Sequence, residues 1–445
     1  MNTARPSSCC IIGGGPAGIM LGYLLARSDV PVTVMEKHAD FFRDFRGDTV
    51  HPSTLQVMHE LGLLRDLLAL PHQEITSVRG VFGDYSFEAA NLDHAPALCK
   101  FVALMPQWDF LNFLSGRAAR FPSFHLQMQH EVTDLLWDGN RVVGVKSKTP
   151  AGPVETTADL VIGCDGRHSV ARIAAKLPGI ERGVPIDVLW FRISRHQTDP
   201  DQLFGNINYG KVLILINRGD YFQAGLLIRK GSLDEIRWQG MQAFRSTIRQ
   251  IAPYLGDRVD GLNDWNQIKL LSVQINRLEQ WHRPGLLCIG DAAHAMSPAG
   301  GVGINLAIQD AVAAARILTP YLRAGKSVDL ALPLVQRRRE FPTRVTQQIQ
   351  VFAHAGIAKI FEMRGPAKAP WQLKAVTSIP GLQRVVGRVV GIGVRPEHVH
   401  AVSAVRRTGG RELRALFIAV QTGLRHWLSA SRAGIARARL TTSSL

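Results

Sequence analysis

A glycine-rich turn near the start of the chain constrains its fold more than any other feature. Residues 9–18 read Cys-Cys-Ile-Ile-Gly-Gly-Gly-Pro-Ala-Gly, so an apolar strand leads through G-x-G-x-x-G spacing into an Ala/Leu-rich helix. Gly13 allows the tight turn, Gly15 lets the backbone approach a pyrophosphate, and Gly18 lets the helix lie close to the sheet. The helix then presents free N–H groups and a positive dipole end to the phosphates.

A carboxylate follows at the position that such a turn requires. Glu36 ends the apolar run 30–35, 18 residues after the third glycine, where its side chain can accept from ribose hydroxyls. Pro16, Ala17 and Lys37 flank these residues and belong to the same predicted site. A glycine-rich turn without a ligand is the alternative. A secretory signal is disfavoured because glycine and proline interrupt the apolar stretch. The unit predicts an adenine dinucleotide, either NAD or FAD.

Length and composition indicate a globular protein of two or three lobes in a reducing compartment. The chain has 445 residues, of which 46% are hydrophobic and 20% charged. It contains no run of 18 uncharged apolar residues, so no membrane-spanning helix is predicted. The five cysteines have no C-x-x-C spacing, and we expect buried free thiols in the cytoplasm and no metal site.

The net charge of +16 is partly concentrated at the C-terminal end. Residues 401–445 contain eight arginines, no lysine and one acid, which gives this tail a charge of +7. Its apolar residues recur at helical spacing: Leu413, Leu416, Phe417, Val420, Leu424, Trp427 and Leu428. One interpretation is an amphipathic helix at the inner face of a membrane; a packed helix and a disordered extension are the alternatives. Zinc spacing and RNA-binding signatures are absent from the sequence, so we expect no nucleic-acid partner.

The order of the apolar patterns predicts an α/β protein with an inserted lobe. Residues 1–182 form the first part of a nucleotide-binding domain, which includes a helix from Ser53 to Leu70, a strand from His125 to Asp134 and the strand-rich stretch 75–104. Residues 183–276 form a β-rich lobe that ends in a strand from Ile268 to Asn276. Residues 277–325 return to the nucleotide-binding domain, 326–395 are mainly helical, and 396–445 form the basic tail.

Two further turns follow apolar runs of the buried-strand type. Residues 160–164 lead into Asp165-Gly166-Arg167, and residues 286–289 lead into Gly290-Asp291. Open α/β sheets bind ligands at the carboxyl ends of their parallel strands, where both acids are therefore expected. Asp165 could instead cap a helix. The Gly290-Asp291 motif continues into a glycine-rich turn that contains Pro298, Gly300, Gly301, Gly303 and Asn305. Its glycines let backbone approach a flat ring, and the helix start beyond it can stabilise negative charge.

These three motifs, in this order and spacing, resemble the single-component FAD-dependent aromatic monooxygenases, the family of p-hydroxybenzoate hydroxylase and the ubiquinone hydroxylases. The resemblance covers about residues 8–330 and says nothing about the tail. It implies an α/β fold with a Rossmann-like FAD-binding domain, an inserted β-sheet substrate lobe and a helical C-terminal region.

The resemblance also implies roles for individual residues. Gly13, Gly15, Gly18 and Glu36 are similar to the ADP end of the FAD site, and Gly290-Asp291 to the segment that binds the ribityl chain. Pro298, Gly301, Gly303, Ile304 and Asn305 resemble the wall and helix start beneath the isoalloxazine. Four positions resemble other cofactor contacts: Arg46, Gln107, Val132 (through its backbone, at the adenine) and Asp165 (for both FAD and NAD(P)H).

Structural alternatives exist for several of these positions. Arg46 could form a surface ion pair, Gln107 could simply start a helix, and Val132 is a strand core residue in either case. His294, inside the third motif, is more readily explained by a structural hydrogen bond than by proton transfer. His51 could face the substrate, although a loop histidine is more often solvated.

The chemistry implied by the resemblance is aromatic hydroxylation. In that family NADPH or NADH reduces FAD, and O2 then forms a flavin C4a-hydroperoxide that hydroxylates a phenol, polyketide or quinone precursor. The sequence identifies no catalytic base. We expect the pocket between the sheet lobe and the flavin, with candidate lining residues Trp190, Arg192, Asn208, Tyr209 and Gln223.

Other functions remain open from the sequence. The main alternative is a flavin-dependent dehydrogenase or reductase without oxygen insertion. An NAD-only Rossmann dehydrogenase and a non-enzymatic interaction protein are further alternatives. A flavin-dependent halogenase is disfavoured because no two tryptophans are two residues apart.

Overall fold

The computed structural model describes residues 7–42, 48–199 and 203–399. Arg46 and the tail 401–445 lie outside the described residues, so their predicted roles stay predictions.

The described residues form helices and strands in an α/β order. The helices are α1 (Pro16–Ala26), α2 (Pro52–Glu60), α3 (Leu64–Leu68), α4 (Gln107–Ala118), α5 (Val170–Ala174), α6 (Leu233–Gln239), α7 (Met241–Ile251), α8 (Gly303–Arg323), α9 (Leu332–Ile360), α10 (Trp371–Thr377) and α11 (Leu382–Gly391). The first strands are β1 (Cys9–Ile12), β2 (Val32–Glu36), β3 (Thr49–Val50), β4 (Gln73–Ile75), β5 (Ser77–Phe82), β6 (Tyr85–Asn91), β7 (Val102–Leu104), β8 (Phe124–Met128), β9 (Glu131–Asp138), β10 (Arg141–Thr149) and β11 (Gly152–Thr157). The later strands are β12 (Leu160–Gly163), β13 (Gly179–Arg182), β14 (Ile186–Ser194), β15 (Leu203–Asn208), β16 (Lys211–Asn217), β17 (Tyr221–Arg229), β18 (Lys269–Ser272), β19 (Ile275–Leu278), β20 (His282–Arg283) and β21 (Leu286–Cys288).

A six-stranded sheet of order β20-β21-β12-β1-β2-β8 forms the nucleotide-binding half of the molecule. Its strands β21, β12, β1, β2 and β8 run parallel, and β20 pairs antiparallel at one edge. Every residue of β1 and β12 is buried, which explains their uninterrupted apolar sequences. The parallel order brings the carboxyl ends of β1, β12 and β21, each followed by one of the three sequence motifs, to the same edge as Glu36 at the end of β2.

A seven-stranded sheet of order β18-β14-β17-β16-β15-β5-β6 forms the lobe. Here the structure differs from the predicted division, because β5 and β6 from the stretch 75–104 belong to this sheet. Strand β5 pairs in parallel with β15, a partner more than a hundred residues away that local alternation cannot reveal. The predicted strand Ile268–Asn276 is also divided: β18 pairs with β14, whereas β19 pairs with β13 in a separate ribbon.

The two faces of the lobe sheet have different neighbours. Leu189, Phe191 and Ile193 of β14 point to one face, where they pack with Phe244 and Ile248 of α7. The alternate residues Val188 and Trp190 point to the other face, which packs with β7 and with α9. Period-two alternation thus places Trp190 and Arg192 on the face that looks towards the nucleotide-binding half.

Two predicted elements are broken by local backbone geometry. The predicted helix Ser53–Leu70 is two helices, because Gly62 adopts a φ of +73° between α2 and α3. The predicted strand His125–Asp134 is likewise β8 and β9 in different sheets, separated at Gln129 with a φ of +56°.

Within the described part of the chain, one segment, Ala299–Arg323, is long and apolar enough to cross a membrane, although 61% of its most apolar window is buried inside the protein. It consists of α8 and the turn before it, and α8 packs against α1 and α9. These contacts account for its apolar sequence as that of a core helix.

Candidate active site

The three sequence motifs meet at the carboxyl edge of the parallel sheet. A Cβ atom on Gly13 would lie 2.6 Å from the carbonyl oxygen of Cys164, next to Asp165. A Cβ atom on Gly290 would lie 3.4 Å from the Cβ of Ala17. The Arg167 Nε lies 3.7 Å from an Asp291 carboxylate oxygen. The first motif therefore touches the second and third, and the second touches the third.

The glycines of the first turn differ in what surrounds them. Gly13 has a φ of +99°, and a side chain on Gly18 would overlap the Gly13 carbonyl oxygen, so both are required by the protein's own packing. Gly15 is the N-cap of α1, and a Cβ atom there would meet nothing within 4 Å. Open space beside the N–H groups of a helix start fits a bound pyrophosphate. The residues present therefore fit the dinucleotide that the sequence predicts.

Glu36 lies at the end of β2 beside this turn. Its carboxylate accepts hydrogen bonds from the backbone N–H of Gly14 (2.9 Å) and of His38 (3.1 Å). Its carbonyl oxygen accepts from His130 N–H at 2.9 Å, which brings the start of β9, and Val132 two residues on, to the same place. Lys37 is exposed next to it. The structure thus gathers these predicted residues, whose roles towards the cofactor remain predictions.

Asp165 caps the short helix α5, the alternative that the sequence left open. One carboxylate oxygen accepts from Val170 N–H (2.6 Å) and Ala171 N–H (3.2 Å). The other oxygen, Oδ1, is buried without a hydrogen-bond partner among the described residues, and burial raises the pKa of this carboxyl. Capping the helix therefore uses one carboxylate oxygen of Asp165 and leaves the other available as a hydrogen-bond acceptor.

The third motif continues into a turn that is tied to the segment after residue 48. Thr49 donates to the Gly301 carbonyl at 2.9 Å, and a Cβ atom on Gly301 would lie 2.5 Å from the Thr49 hydroxyl oxygen. Gly303 starts α8 with open space around it. Pro298, Gly301 and Ile304 are partly exposed. The start of α8 therefore offers free N–H groups beside open space at Gly303.

Asn305 and His51 hold this turn in place. The Asn305 side-chain oxygen accepts from His51 N–H (3.0 Å) and from the Thr54 hydroxyl (2.6 Å). His51 is buried rather than solvated, and its Nδ1 lies 2.8 Å from the carbonyl oxygen of Val390. Burial lowers the pKa of His51 to about 4, so this imidazole is neutral at physiological pH. The Asn305 side chain therefore has a structural function, and only its backbone is available to a cofactor.

A buried charge network supports the Gly290-Asp291 segment from behind. Asp310 accepts from Gly290 N–H at 3.0 Å, from His294 Nε2, and from Arg339 Nε at 2.8 Å. Burial alone would raise the pKa of Asp310, but His294 and Arg339 hold it below its ordinary value. Arg339 continues the network to Glu397. This confirms the structural hydrogen bond expected for His294.

An ion pair that the sequence did not predict joins the two halves of the molecule. Arg218 Nη2 lies 2.5 Å from Asp48 Oδ2, and its side chain also donates to Gln223 Oε1 at 2.9 Å and 3.1 Å. Asp48 also accepts from the backbone N–H of Gln107, the predicted start of a cofactor-binding helix. Burial raises the pKa of Asp48 to about 6, partly offset by Arg218, that N–H group and Arg192.

The register of the lobe sheet decides which predicted pocket residues face this pair. Arg192 lies directly opposite Gln223 across β14 and β17, so both are beside Asp48. Trp190, two residues before Arg192, is on the same face, and its indole N–H is buried without a partner among the described residues. Asn208 and Tyr209 instead lie at the β15–β16 hairpin end, where the Asn208 side chain accepts from Ala367 N–H at 2.8 Å. Three of the five candidates, Trp190, Arg192 and Gln223, therefore lie on the face of the lobe sheet that is turned towards Asp48.

Comparison with known proteins gives a consistent result. The sequence profile of the family described as "FAD binding domain" matches residues 7–349. The chain is 32% identical over 345 residues to 6-methylpretetramide 4-monooxygenase of Streptomyces rimosus, covering 77% of this chain and 82% of that protein. It is 24% identical over 314 residues to anhydrotetracycline monooxygenase of the same species, covering 68% and 60%.

Solved structures show the same fold. The OxyS anhydrotetracycline hydroxylase from Streptomyces rimosus superposes with a TM-score of 0.69 at 20% identity, covering 91% of this chain and 78% of that one. The Diels-Alderase PyrE3 gives the same TM-score at 21% identity, covering 86% and 80%. Because those two proteins carry different names and the identities are low, these superpositions concern the fold alone.

Proposed function

The chain belongs to the FAD-binding family of flavin-dependent aromatic monooxygenases, and from this membership we propose that it hydroxylates a polycyclic phenol. The overall reaction consumes NAD(P)H, a proton and O2, and releases NAD(P)+, water and the hydroxylated ring. The single observation that supports the proposal is the meeting of three motifs at one sheet edge, where Thr49, the neighbour of the largely buried Asp48, is hydrogen-bonded to the third motif. One chemical guide to the substrate is 6-methylpretetramide, in the name of the 32% identical relative.

The residues at the sheet edge would hold FAD by complementary contacts. The open N-terminus of α1 at Gly15 fits the pyrophosphate, and Glu36 fits the adenosine ribose. Asp291 ends the β21 segment where a carboxylate can accept from ribityl hydroxyls. The start of α8 at Gly303 offers N–H groups to the electron-rich edge of the isoalloxazine. When bound, FAD supplies the redox chemistry that takes a hydride from NAD(P)H and activates O2.

Asp48 is the group that we assign to proton transfer from the substrate. A phenol is more reactive towards an electrophilic oxygen once its hydroxyl is deprotonated, and a general base is best matched with a pKa near the working pH. Burial gives Asp48 a pKa of about 6, and Arg218 beside it can stabilise a phenolate. Arg192 and Gln223 on the lobe face, and the unpartnered indole N–H of Trp190, would orient the ring.

We also propose a cellular compartment and a membrane contact for the enzyme, and no nucleic-acid partner. The enzyme would work in the cytoplasm, since its cysteines are free thiols and burial raises the pKa of the Cys9, Cys10, Cys164 and Cys288 thiols. Its amphipathic basic tail would contact the inner face of a membrane peripherally. Nucleic acid would not be a partner.

Isotope labelling tests oxygen insertion directly. The holoenzyme is incubated with NADPH or NADH, ¹⁸O2 and a panel of polycyclic phenols, and the products are analysed by mass spectrometry. We expect a substrate that stimulates NAD(P)H oxidation and gains one ¹⁸O atom, because the inserted oxygen comes from O2. A parallel reaction in H2¹⁸O under unlabelled O2 should give unlabelled product.

The alternative is a flavin-dependent dehydrogenase or reductase, and PyrE3 shows that the fold also occurs in a protein named for different chemistry. An oxidised or reduced product without ¹⁸O would favour that alternative and contradict the proposed hydroxylation.

A further inference from the structure

The region between Met363 and Pro396 has an unusual distribution of charge. It contains six cations (Arg364, Lys368, Lys374, Arg384, Arg388 and Arg395) and no acidic residue. This region includes α10 and α11, and we call it the α10–α11 surface. The nearest acids on the elements beneath it are Asp84 and Glu88 of the β5–β6 hairpin. Glu362 precedes the region, and Glu397 follows it and interacts with Arg395, so four acids against six cations leave a net charge of +2.

Large apolar side chains stand exposed on the same surface. Trp371 is 73% exposed, Val376 49% and Ile379 50%. None of the residues of α10 is buried. Trp371 begins α10, Val376 lies in its last turn and Ile379 follows two residues after its end, so the three exposed side chains belong to one short segment. An exposed tryptophan beside aliphatic residues costs solubility unless it has a partner, so this patch indicates an interaction surface.

The opposite side of this region is fixed to the lobe. The Tyr85 hydroxyl oxygen lies 2.8 Å from the Thr377 hydroxyl oxygen, and the Lys374 ammonium lies 5.3 Å from the centre of the Tyr85 ring. Helix α11 packs closely on β6, where a Cβ atom on Gly387 would overlap the Asn91 carbonyl. Since these contacts hold the helices on the body, the exposed apolar patch is presented outwards on a firm base.

We propose that the α10–α11 surface docks on an anionic lipid bilayer. Tryptophan and aliphatic side chains enter the headgroup boundary, while surrounding lysines and arginines are attracted to anionic lipids. The positive charge favours an anionic bilayer over a second copy of the chain, because two copies of the same positive surface would repel each other. The docking concerns the folded body, so it is additional to any contact by the tail and independent of the hydroxylation chemistry.

A local fluorescent probe tests this docking in the full-length protein. The variant Trp371→Cys is labelled with an environment-sensitive NBD fluorophore, with unmodified protein as the blank for the native thiols, none of which is exposed. We expect a blue shift and brighter emission on adding phosphatidylglycerol vesicles, and little change with pure phosphatidylcholine. Lys368→Gln with Arg384→Gln should weaken vesicle binding roughly 25-fold, since each cation near an anionic surface contributes about fivefold.

Trp238 supplies a matched control, because it is 88% exposed on α6 beside Asp234 and Glu235. A probe at Trp238→Cys should not respond to vesicles, and Trp238→Ser should bind them like the wild type. Vesicle binding without a response at position 371 would assign the membrane contact to the tail and overturn the proposal. Absence of vesicle binding, or an equal response to phosphatidylcholine, would also overturn it. Turnover is not measured, so the result is separate from the proposed function.

Discussion

Replacing Gly15 with alanine is expected to abolish tight FAD binding while leaving the protein folded. A Cβ atom at this position meets no protein atom within 4 Å, so the change creates no clash in the unliganded chain. The same Cβ atom would lie where the pyrophosphate approaches the α1 N-terminus. Loss of about two charge-assisted hydrogen bonds there, at roughly 1.5–3 kcal/mol each, weakens binding by at least about a hundredfold. Flavin content after gel filtration and the thermal midpoint measure the two parts of this result.

Two other glycines make this prediction selective. Gly18→Ala should lower the thermal midpoint as well as flavin content, because its Cβ atom would overlap the Gly13 carbonyl. Gly116→Ala should lower neither the thermal midpoint nor the flavin content. Gly116 lies in α4 with open space around it, and alanine favours a helix. If Gly15→Ala retained wild-type flavin affinity, or unfolded like Gly18→Ala, the assignment of this turn to the pyrophosphate would be wrong.

Replacing Asp48 with asparagine is expected to lower kcat/KM by about a hundredfold to ten-thousandfold, the usual contribution of a positioned general base. The pH dependence of kcat/KM tests the assignment of Asp48 as the base more specifically than the loss of rate does. Below the Asp48 pKa of about 6 the carboxyl is protonated and cannot accept a proton, so wild-type kcat/KM should rise with pH and level off above 6. The asparagine variant should lose this limb.

The ionisation of Asp48 should also affect the stability of the protein. Whereas kcat/KM rises with pH, the Asp48 contribution to the free energy of unfolding should fall. Burial raises the pKa of folded Asp48 above the ordinary value of 3.8, so the folded state binds more protons than the unfolded state between about pH 4 and 6. The Asp48 contribution to the free energy of unfolding therefore falls as pH rises through that window, and Asp48→Asn removes this dependence. Asp199→Asn is the matched control, since Asp199 also pairs with an arginine, Arg258, but lies in the lobe. An unchanged acidic limb in Asp48→Asn would exclude Asp48 as the base.

The sequence predicted those parts of the site whose geometry depends only on residues close together in the chain. Gly13, Gly15 and Gly18 lie within one turn, and Asp291 follows its strand directly. Residue type and spacing then identify the chemistry, because a tight turn, a helix start and a carboxylate at a strand end have local requirements. The uninterrupted apolar runs of β21, β12 and β1 also indicate buried parallel strands, whose carboxyl ends share one edge of the sheet.

The parts that sequence missed depend on partners far apart in the chain. Asp48 and Arg218 are 170 residues apart, and neither has a local signal that indicates the other. The same is true of β5, which joins the lobe through β15. Asn305 was predicted from its motif, but its side chain is used by His51 and Thr54, contacts that only the folded chain reveals. A sequence shows which groups are available, whereas the fold determines which of them are already engaged.

The flavin content of the purified wild-type chain shows whether the three motifs hold FAD together. Residues from three distant segments are held at one sheet edge with open space at Gly15 and at the start of α8. We expect a yellow protein with the two-band visible spectrum of oxidised flavin and one FAD per chain after gel filtration. A folded chain that stays colourless, and binds no FAD when the cofactor is added in excess, would contradict it.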